Sequence, residues 1–361
     1  VGYDSLVSNT TADNNTAVGR KALQANTTGL RSTAVGSLSL DAQTTGGDNV
    51  AVGYESLSSN TTGVDNVSVG TGALLNNTTA HNNTAVGRAS LAANTTGFQN
   101  TAVGSGALDA NTTAGYNVAV GYNALTDNTT GQVNSAIGWG ALQRCTTGDN
   151  NVAFGGSALA YATTASNNTA IGKDALQATT TGTQNVAVGT NALKVNTTAN
   201  DNTSVGFNSL DSNTTGASNT GIGKGTLSDN VSGSDNTAVG KNSLNANTAS
   251  NNTAVGSSAL IANTSGSGNT ALGKGSMLSS TTASNNTAVG IDTLAAGTTA
   301  VNNTAVGAAA LNQTTGDNNT AVGTFAMDAN TSGINNTGLG RGALGSNTTA
   351  GNNVAVGYQS L

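Results

Sequence analysis

The sequence contains no proline and only one cysteine, one histidine and one tryptophan among its 361 residues. The single cysteine, Cys145, excludes a disulfide within one chain, and we interpret it as a tolerated substitution in a turn. The lack of proline suits a fold in which interior strands need every backbone N–H for pairing. Only 8% of the residues are charged, and low charge without proline argues against a disordered chain.

Basic residues are scarce as well, with 11 Lys and Arg against 17 Asp and Glu and a net charge of −6. A nucleic-acid-binding protein needs a basic face, so we expect no nucleic acid partner. No apolar run approaches the roughly 18 residues that span a bilayer, so we expect no membrane span in this segment. Val1 and Leu361 both fall inside a repeat unit, and solenoids need capping units, so we expect a segment of a longer protein.

What the sequence does contain is one unit of 17 residues, N-T-A-V-G-x-x-A-L-x-x-N-T-T-G-x-x, repeated from end to end. Gly follows the apolar residue in all 22 copies, and Leu stands four residues later in 20 of them, with Met277 and Met327 in the other two. Two units are shorter by a single residue, with a deletion near Asn247 and another near Gln313. Both deletions fall in the N-T-T segment, which predicts a turn that tolerates shortening.

Equivalent residues of successive units form rows, and each row is named here after its commonest residue. In the unit that begins at residue 83, the opening-Asn, Thr, Ala, Val, corner-Gly, Leu and turn-Asn rows are represented by Asn83, Thr84, Ala85, Val86, Gly87, Leu91 and Asn94.

The pattern of the unit favours strands over helices. Gly, Asn and Thr fill seven of its 17 positions, and the apolar spacing does not sustain a helical period. Alternation places the Thr and Val rows on one side of a strand and the opening-Asn and Ala rows on the other. We predict two short strands per unit, the second carrying Ala-Leu, with the Val and Leu rows buried and turns at the corner Gly and at N-T-T-G.

The sequence thus predicts an all-β fold, a parallel β-solenoid with one 17-residue coil per repeat and about 21 coils in one continuous array, residues 1–361. Asn side chains of successive coils should hydrogen-bond to one another, as in stacked cross-β segments. Two buried apolar side chains per coil contribute little against the entropy of ordering the whole coil. We therefore expect further burial between chains, in a homo-oligomer.

The segment Asn49-Val50-Ala51-Val52-Gly53-Tyr54-Glu55-Ser56 resembles the S-V-A-I-G-x-x-S repeat of YadA-like heads in trimeric autotransporter adhesins. The whole unit is also similar to long N-T-A-x-G-x-x-A-L-x-x-N-T-T-G arrays in tail-fibre-like surface proteins. The first resemblance implies a left-handed β-roll assembled as a homotrimer. Both imply an extracellular fibre on a cell or virion surface, and neither brings a catalytic residue.

Chemical motifs are otherwise sparse. V-G-x-x-A-L resembles one hexapeptide of left-handed β-helix acyltransferases. Those enzymes need a catalytic His, and the only candidate in this chain is His81, which lies in a variable turn position. Acidic turn residues occur in about a third of the units and are typical of soluble turns rather than of calcium sites: Asp13, Asp48, Asp65, Asp149, Asp201, Asp235 and Asp317. We expect no enzyme, no cofactor and no metal site.

Asn-x-Thr strings are formally glycosylation sequons. We expect the opening Asn residues to be bare, and a few turn Asn residues to be open to modification.

One position of the unit has a residue pattern that the fold itself does not require. The residue after the corner Gly is aromatic or basic in 13 of 22 copies. We call these residues the corner stripe: Tyr3, Arg20, Tyr54, Arg88, Tyr122, Trp139, Lys173, Phe207, Lys224, Lys241, Lys274, Arg341 and Tyr358. The plainer interpretation is that a corner tolerates large outward side chains. The sharper hypothesis is contact with a neighbouring chain or a glycan, because aromatic and Arg side chains are favoured in interfaces.

Three functions remain open from the sequence. The first is a structural extracellular fibre, an adhesin or tail-fibre shaft or head that provides reach, stiffness and surface attachment as a homotrimer. The second is an amyloid-like matrix filament that polymerises end to end through exposed coil ends. The third is an ice-binding solenoid with stacked Thr, although Thr27 and Thr28 lie adjacent in a turn rather than alternating on a flat strand.

Overall fold

A computed structural model describes residues 1–361, which divide into an N-terminal unit, Val1–Thr183, and a C-terminal unit, Gln184–Leu361. The N-terminal unit holds β1 (Thr16–Val18), β2 (Thr33–Val35), β3 (Val50–Val52), β4 (Val67–Val69), β5 (Thr84–Val86), β6 (Thr101–Val103), β7 (Val118–Val120), β8 (Ser135–Ile137), β9 (Val152–Phe154) and β10 (Thr169–Ile171). The C-terminal unit holds β11 (Val186–Val188), β12 (Thr203–Val205), β13 (Thr220–Ile222), β14 (Thr237–Val239), β15 (Thr253–Val255), β16 (Thr270–Leu272), β17 (Thr287–Val289), β18 (Thr304–Val306), β19 (Thr320–Val322), β20 (Thr337–Leu339) and β21 (Val354–Val356).

Within each unit, every strand pairs in parallel with the strand of the next coil, in register. Thr84 lies opposite Thr101, and Val86 lies opposite Val103. Each residue of a row therefore stacks on its equivalent in the next coil, which confirms the predicted all-β parallel solenoid with one coil per repeat.

The interior of the coil is lined by the Ala, Leu and Asn rows, and the Val row lies outside. Ala85 and Leu91 are fully buried, whereas the Val-row residues of all 21 strands are half-buried or exposed, with Phe154 at 53% exposure. The prediction that Val is buried was therefore wrong. Alternation allows only one strand face inside, and the Asn amides share that face with Ala, where stacked coils offer them hydrogen-bond partners.

The predicted second strand was also wrong, since each coil contains one strand. The Ala-Leu segment is a turn in which Leu91 and the residue two before it, Ala89, have φ angles of 51° and 55°. This left-handed conformation is incompatible with a strand. The segment still bonds to the next coil, because the Leu91 N–H donates to the Ala107 carbonyl at 3.0 Å.

The corner Gly is invariant for two reasons that act together. Gly87 has a φ of 135°, a conformation that is essentially restricted to glycine. A Cβ at this residue would also lie 2.5 Å from the carbonyl oxygen of Gly104, the corner Gly of the next coil. Successive coils thus pass each other closely at this corner, and no other residue fits there.

The two shortened coils retain the strand register, as predicted for a tolerant turn. Thr237 pairs with Thr253 and Thr304 pairs with Thr320, so the deletion in each coil is absorbed outside the strand. A full coil has two threonines in this turn, and the second, such as Thr28, is exposed and holds a longer hydrogen bond of 3.3 Å to Thr44. The shortened turn at Thr248 stays bonded without it, since the Thr248 N–H donates to the Thr264 carbonyl at 3.0 Å.

Candidate functional site

The buried Asn rows are occupied with holding the coils together. In the opening-Asn row, Asn83 donates from Nδ2 to the Gly97 carbonyl at 2.9 Å, and its Oδ1 accepts the backbone N–H of Asn100 at 3.0 Å. In the turn-Asn row, Asn94 donates from Nδ2 to Oδ1 of Asn77 at 3.0 Å. The predicted bonding between stacked side-chain amides is confirmed in the turn-Asn row, while the opening-Asn row mainly bonds to backbone.

Three buried amide oxygens lack a hydrogen-bond partner, and each lies where the turn-Asn row is disturbed: Oδ1 of Asn128, Asn230 and Asn263. The residue stacked on Asn128 is Cys145, which has no amide donor. Ser280, stacked on Asn263, donates its hydroxyl to the Gly297 carbonyl instead. Asn247, stacked on Asn230 in a shortened coil, donates to the Ala249 carbonyl at 2.7 Å.

Burial also bears on glycosylation and on the thiol. Interior turn Asn residues such as Asn60 and Asn94 are fully buried, so a folded coil leaves no room for a sugar on them, whereas the turn Asn9 of the first coil is exposed. Cys145 is buried, and this burial raises the pKa of its thiol to about 11. The thiol is therefore protonated at neutral pH and a poor nucleophile.

Every residue of the corner stripe is exposed, as its position at a corner requires. Two pairs of these side chains in consecutive coils are in contact, and both pairs lie in the C-terminal unit. Lys224 lies over the ring of Phe207 at 5.8 Å, and Arg341 lies over the ring of Tyr358 at 5.5 Å while donating to its hydroxyl at 3.0 Å. Elsewhere small residues such as Ser37 separate them. In the C-terminal unit the stripe therefore forms two short clusters, each of one aromatic and one basic residue.

A second aromatic stack, which was not predicted from the sequence, lies in the N-terminal unit beside the opening Asn. His81 stacks on Phe98 with ring centroids 5.6 Å apart, and Phe98 meets Tyr116 edge to face at 5.1 Å. His81 and Phe98 occupy the same position in consecutive units, which was the available signal. His81 is exposed and is part of this stack.

A charged pair occupies the same turn in earlier coils. Arg31 and Asp48 form an exposed ion pair, and the hydrogen bond from Arg31 holds the pKa of Asp48 below its usual value. Both residues follow the N-T-T-G turn one coil apart.

One notch interrupts the corner stripe of the N-terminal unit, where the row holds Gly156 between Trp139 and Lys173. It is an open cavity of about 490 Å³, and its lining also includes Gln143, Tyr161, Asp174 and Gln177. A Cβ at Gly156 would meet nothing within 4 Å, so the glycine leaves real space. Trp139 and Tyr161 are 63% and 43% exposed at its edges.

No group of three or more His, Cys, Asp or Glu side chains is placed to hold a metal ion. The structure contains no helix that is long enough and apolar enough to cross a bilayer. No protein-family model matches the chain, and no curated protein matches its sequence.

Proposed function

We propose that this chain is a structural segment of an extracellular fibre, in which copies of the solenoid assemble as a homotrimer that provides reach, stiffness and surface attachment. The observation that carries this proposal is the outward Val row. Each unit presents a column of exposed apolar side chains on its strand face, including Ile137 and Phe154 in one unit and Leu272 and Leu339 in the other. Contiguous apolar surface of this kind is typical of protein interfaces.

The interior supports the same role. The Ala, Leu and Asn rows fill the coil, and the Asn side chains bond to neighbouring coils. A repeat whose inward side chains serve coil stacking is suited to a mechanical task. Its stiffness comes from in-register parallel pairing, in which successive coils are bonded to each other.

Sedimentation equilibrium and electron microscopy test the assembly. The proposal predicts a closed particle with three times the chain mass of 34.9 kDa. Replacing Val35 and Val52 by Lys places two charges on the strand face and should convert the particle to monomers with an unchanged circular dichroism spectrum. The matched control, Thr28→Lys with Thr45→Lys, adds the same charge to an exposed turn and should leave the trimer intact. A native monomer, or an open filament of growing length, would contradict the proposal.

A second candidate function, ice binding, is favoured by one specific observation. The Thr row is uninterrupted over nine coils of the C-terminal unit, from Thr203 to Thr337, and it lies on the outward strand face beside the Val row. Such a face has repeats of about 4.8 Å between strands and about 6.6 Å along them, a regular array of hydroxyl and methyl groups. A thermal-hysteresis measurement distinguishes the two functions. The fibre proposal predicts no hysteresis, whereas hysteresis in the native chain that disappears when Thr253→Lys and Thr270→Lys are combined would support ice binding.

A further inference from the structure

We propose that the notch at Gly156 is a binding site for a neutral hexose unit of a glycan. The proposal deepens the surface-attachment role and rests on it, by giving one place on the N-terminal unit where attachment has specific chemistry.

Gly156 creates the space that a ligand would occupy. Gly156 leaves a gap between two large side chains of its row, Trp139 and Lys173, which are two coils apart in sequence. Two coil spacings amount to about 10 Å between their backbones. The lining of the resulting cavity of about 490 Å³ includes two aromatic residues, Trp139 and Tyr161.

The notch exposes an indole ring. Trp139 is the only tryptophan of the chain, and 63% of it is exposed although it is the largest apolar side chain available for burial. The negative face of an aromatic ring attracts polarised C–H groups. The apolar face of a pyranose ring presents such C–H groups, so the indole offers it a stacking platform.

The notch also contains a carboxylate that two hydrogen bonds hold in a fixed position. The Asp174 side chain is only 10% exposed, and it accepts hydrogen bonds from Lys173 Nζ at 2.6 Å and from Gln177 Nε2 at 3.2 Å. A carboxylate has about four lone-pair sites, so acceptor capacity remains for sugar hydroxyls. The Gln143 and Gln177 amides add donors and acceptors to the lining.

The charges around the notch favour a neutral saccharide over an acidic one. Lys173 is the only cation that lines the notch, and Asp174 already neutralises it. The nearby guanidinium of Arg144 lies over the Tyr161 ring at 4.8 Å and is not part of the lining. A uronate, a sialic acid or a phosphate in the notch would therefore meet no unpaired cation and would face the Asp174 carboxylate. An aromatic platform, amides and a paired carboxylate together favour hydroxyl groups over anions.

Binding at the notch can be followed by tryptophan fluorescence, because Trp139 is the only source of indole fluorescence in the chain. The full chain is titrated with methyl β-glucopyranoside, methyl β-galactopyranoside, methyl α-mannopyranoside and cellotetraose, and separately with tetragalacturonate. We expect a saturable change in emission with at least one neutral sugar, and binding of tetragalacturonate weaker by about tenfold or more.

Filling the notch provides the decisive variant. Gly156→Lys places a long side chain where nothing lies within 4 Å, so the fold should persist with unchanged circular dichroism while affinity falls about tenfold or more. Ser105→Lys is the matched control, since it introduces the same side chain in the same row of the same unit, away from the notch. It should bind sugar as the native chain does.

The proposal is overturned if no neutral sugar gives a saturable response at millimolar concentration, if only tetragalacturonate binds, or if Gly156→Lys binds as well as the native chain. Fluorescence reports on the notch in each chain whatever the oligomeric state. Failure here therefore differs from failure of the trimer, which sedimentation reports.

Discussion

The N-terminal unit consists of full-length coils, whereas the C-terminal unit contains both shortened coils. Each unit also breaks the turn-Asn row in three consecutive coils: at Cys145, Ala162 and Thr179 in the first, and at Ser280, Gly297 and Thr314 in the second. The strands of both units nevertheless pair in the same register. The comparison teaches that the N-T-T turn stabilises the coil without determining its path.

The outward rows show a second contrast. The Thr row is uniform over nine coils of the C-terminal unit, while the N-terminal unit alternates Thr with Val50, Val67, Val118 and Val152. Aromatic residues of the corner stripe are also concentrated in the N-terminal unit, at Tyr3, Tyr54, Tyr122 and Trp139. The units thus share a core and differ in surface, which is why a specific binding site is proposed in only one of them.

The shared core gives the largest expected effect. Leu91→Ala in the N-terminal unit and Leu260→Ala in the C-terminal unit should each lower the free energy of unfolding by roughly 2–5 kcal/mol, because both side chains are fully buried. Leu278→Ala removes a Leu that is 38% exposed and should cost less than about 1 kcal/mol. Urea denaturation followed by circular dichroism measures all three. Unequal losses at Leu91 and Leu260 would show that the two cores differ.

The corner should be the next most sensitive feature, and neighbouring glycines test it. Gly155→Ala forces a side chain onto a φ of 135° and against the Gly172 backbone at 2.7 Å, so strain alone should cost about 1–3 kcal/mol. Gly307→Ala makes the same change in the C-terminal unit and should cost as much. Gly156→Ala meets open space and should be nearly neutral. A tolerated Gly155→Ala would refute the close approach of coils at this corner.

Alkaline pH should destabilise the chain through Cys145. Burial raises the pKa of this thiol from 9.0 to about 11, so between these values the folded chain keeps a proton that the unfolded chain releases. The stabilisation is complete below pH 9 and is lost as pH rises toward 11, by on the order of 2 kcal/mol. Denaturation of the native chain and of Cys145→Ala at pH 8 and pH 10.5 isolates this contribution. An identical pH dependence in both chains would contradict it.

Repairing the turn-Asn row should give a smaller gain. Cys145→Asn supplies an Nδ2 donor to the unpaired Oδ1 of Asn128 and should stabilise the N-terminal unit by roughly 0.5–1.5 kcal/mol. Cys145→Ala supplies no donor and should give no such gain. Urea denaturation at neutral pH compares the two variants. Equal stability would mean that the amide oxygen is satisfied in another way.

Restoring a full turn in the C-terminal unit should have the smallest effect. A Thr inserted between Thr248 and Ala249 recreates the usual N-T-T turn and should change stability by no more than about 0.5 kcal/mol. A Thr inserted between Ala238 and Val239 instead shifts a strand register and should disrupt the unit. Thermal melts of the two insertions test this difference. A large effect of the first insertion would show that the shortened turn is a specific adaptation.

The repeat itself made much of this fold predictable. A period of 17 residues predicts stacked coils, and invariant corner Gly and recurrent Asn predict tight corners and stacked amides. Alternation could not tell which strand face is inside, because the partners that allow Asn83 to be buried include groups of the next coil. The turn at Leu91 was missed because Leu is not a residue that ordinarily adopts a positive φ.

The notch could not be predicted from the sequence, because it arises from the absence of a side chain. The corner stripe was predicted from Trp139 and Lys173 because their residue types recur in one row. Gly156 looked like an ordinary gap in that row. Only the structure places Tyr161, Gln143 and Gln177 beside it, since these residues follow the core Leu and approach the corner through the fold of the coil.

A cryo-EM map of the assembled chain that resolves side chains in cross-section tests the central claim most directly. The account predicts coils spaced by about 4.8 Å, each with one strand, with Leu311 inside the coil and Val306 outside it. It would be contradicted by a map in which Val306 points into the coil while Leu311 faces solvent.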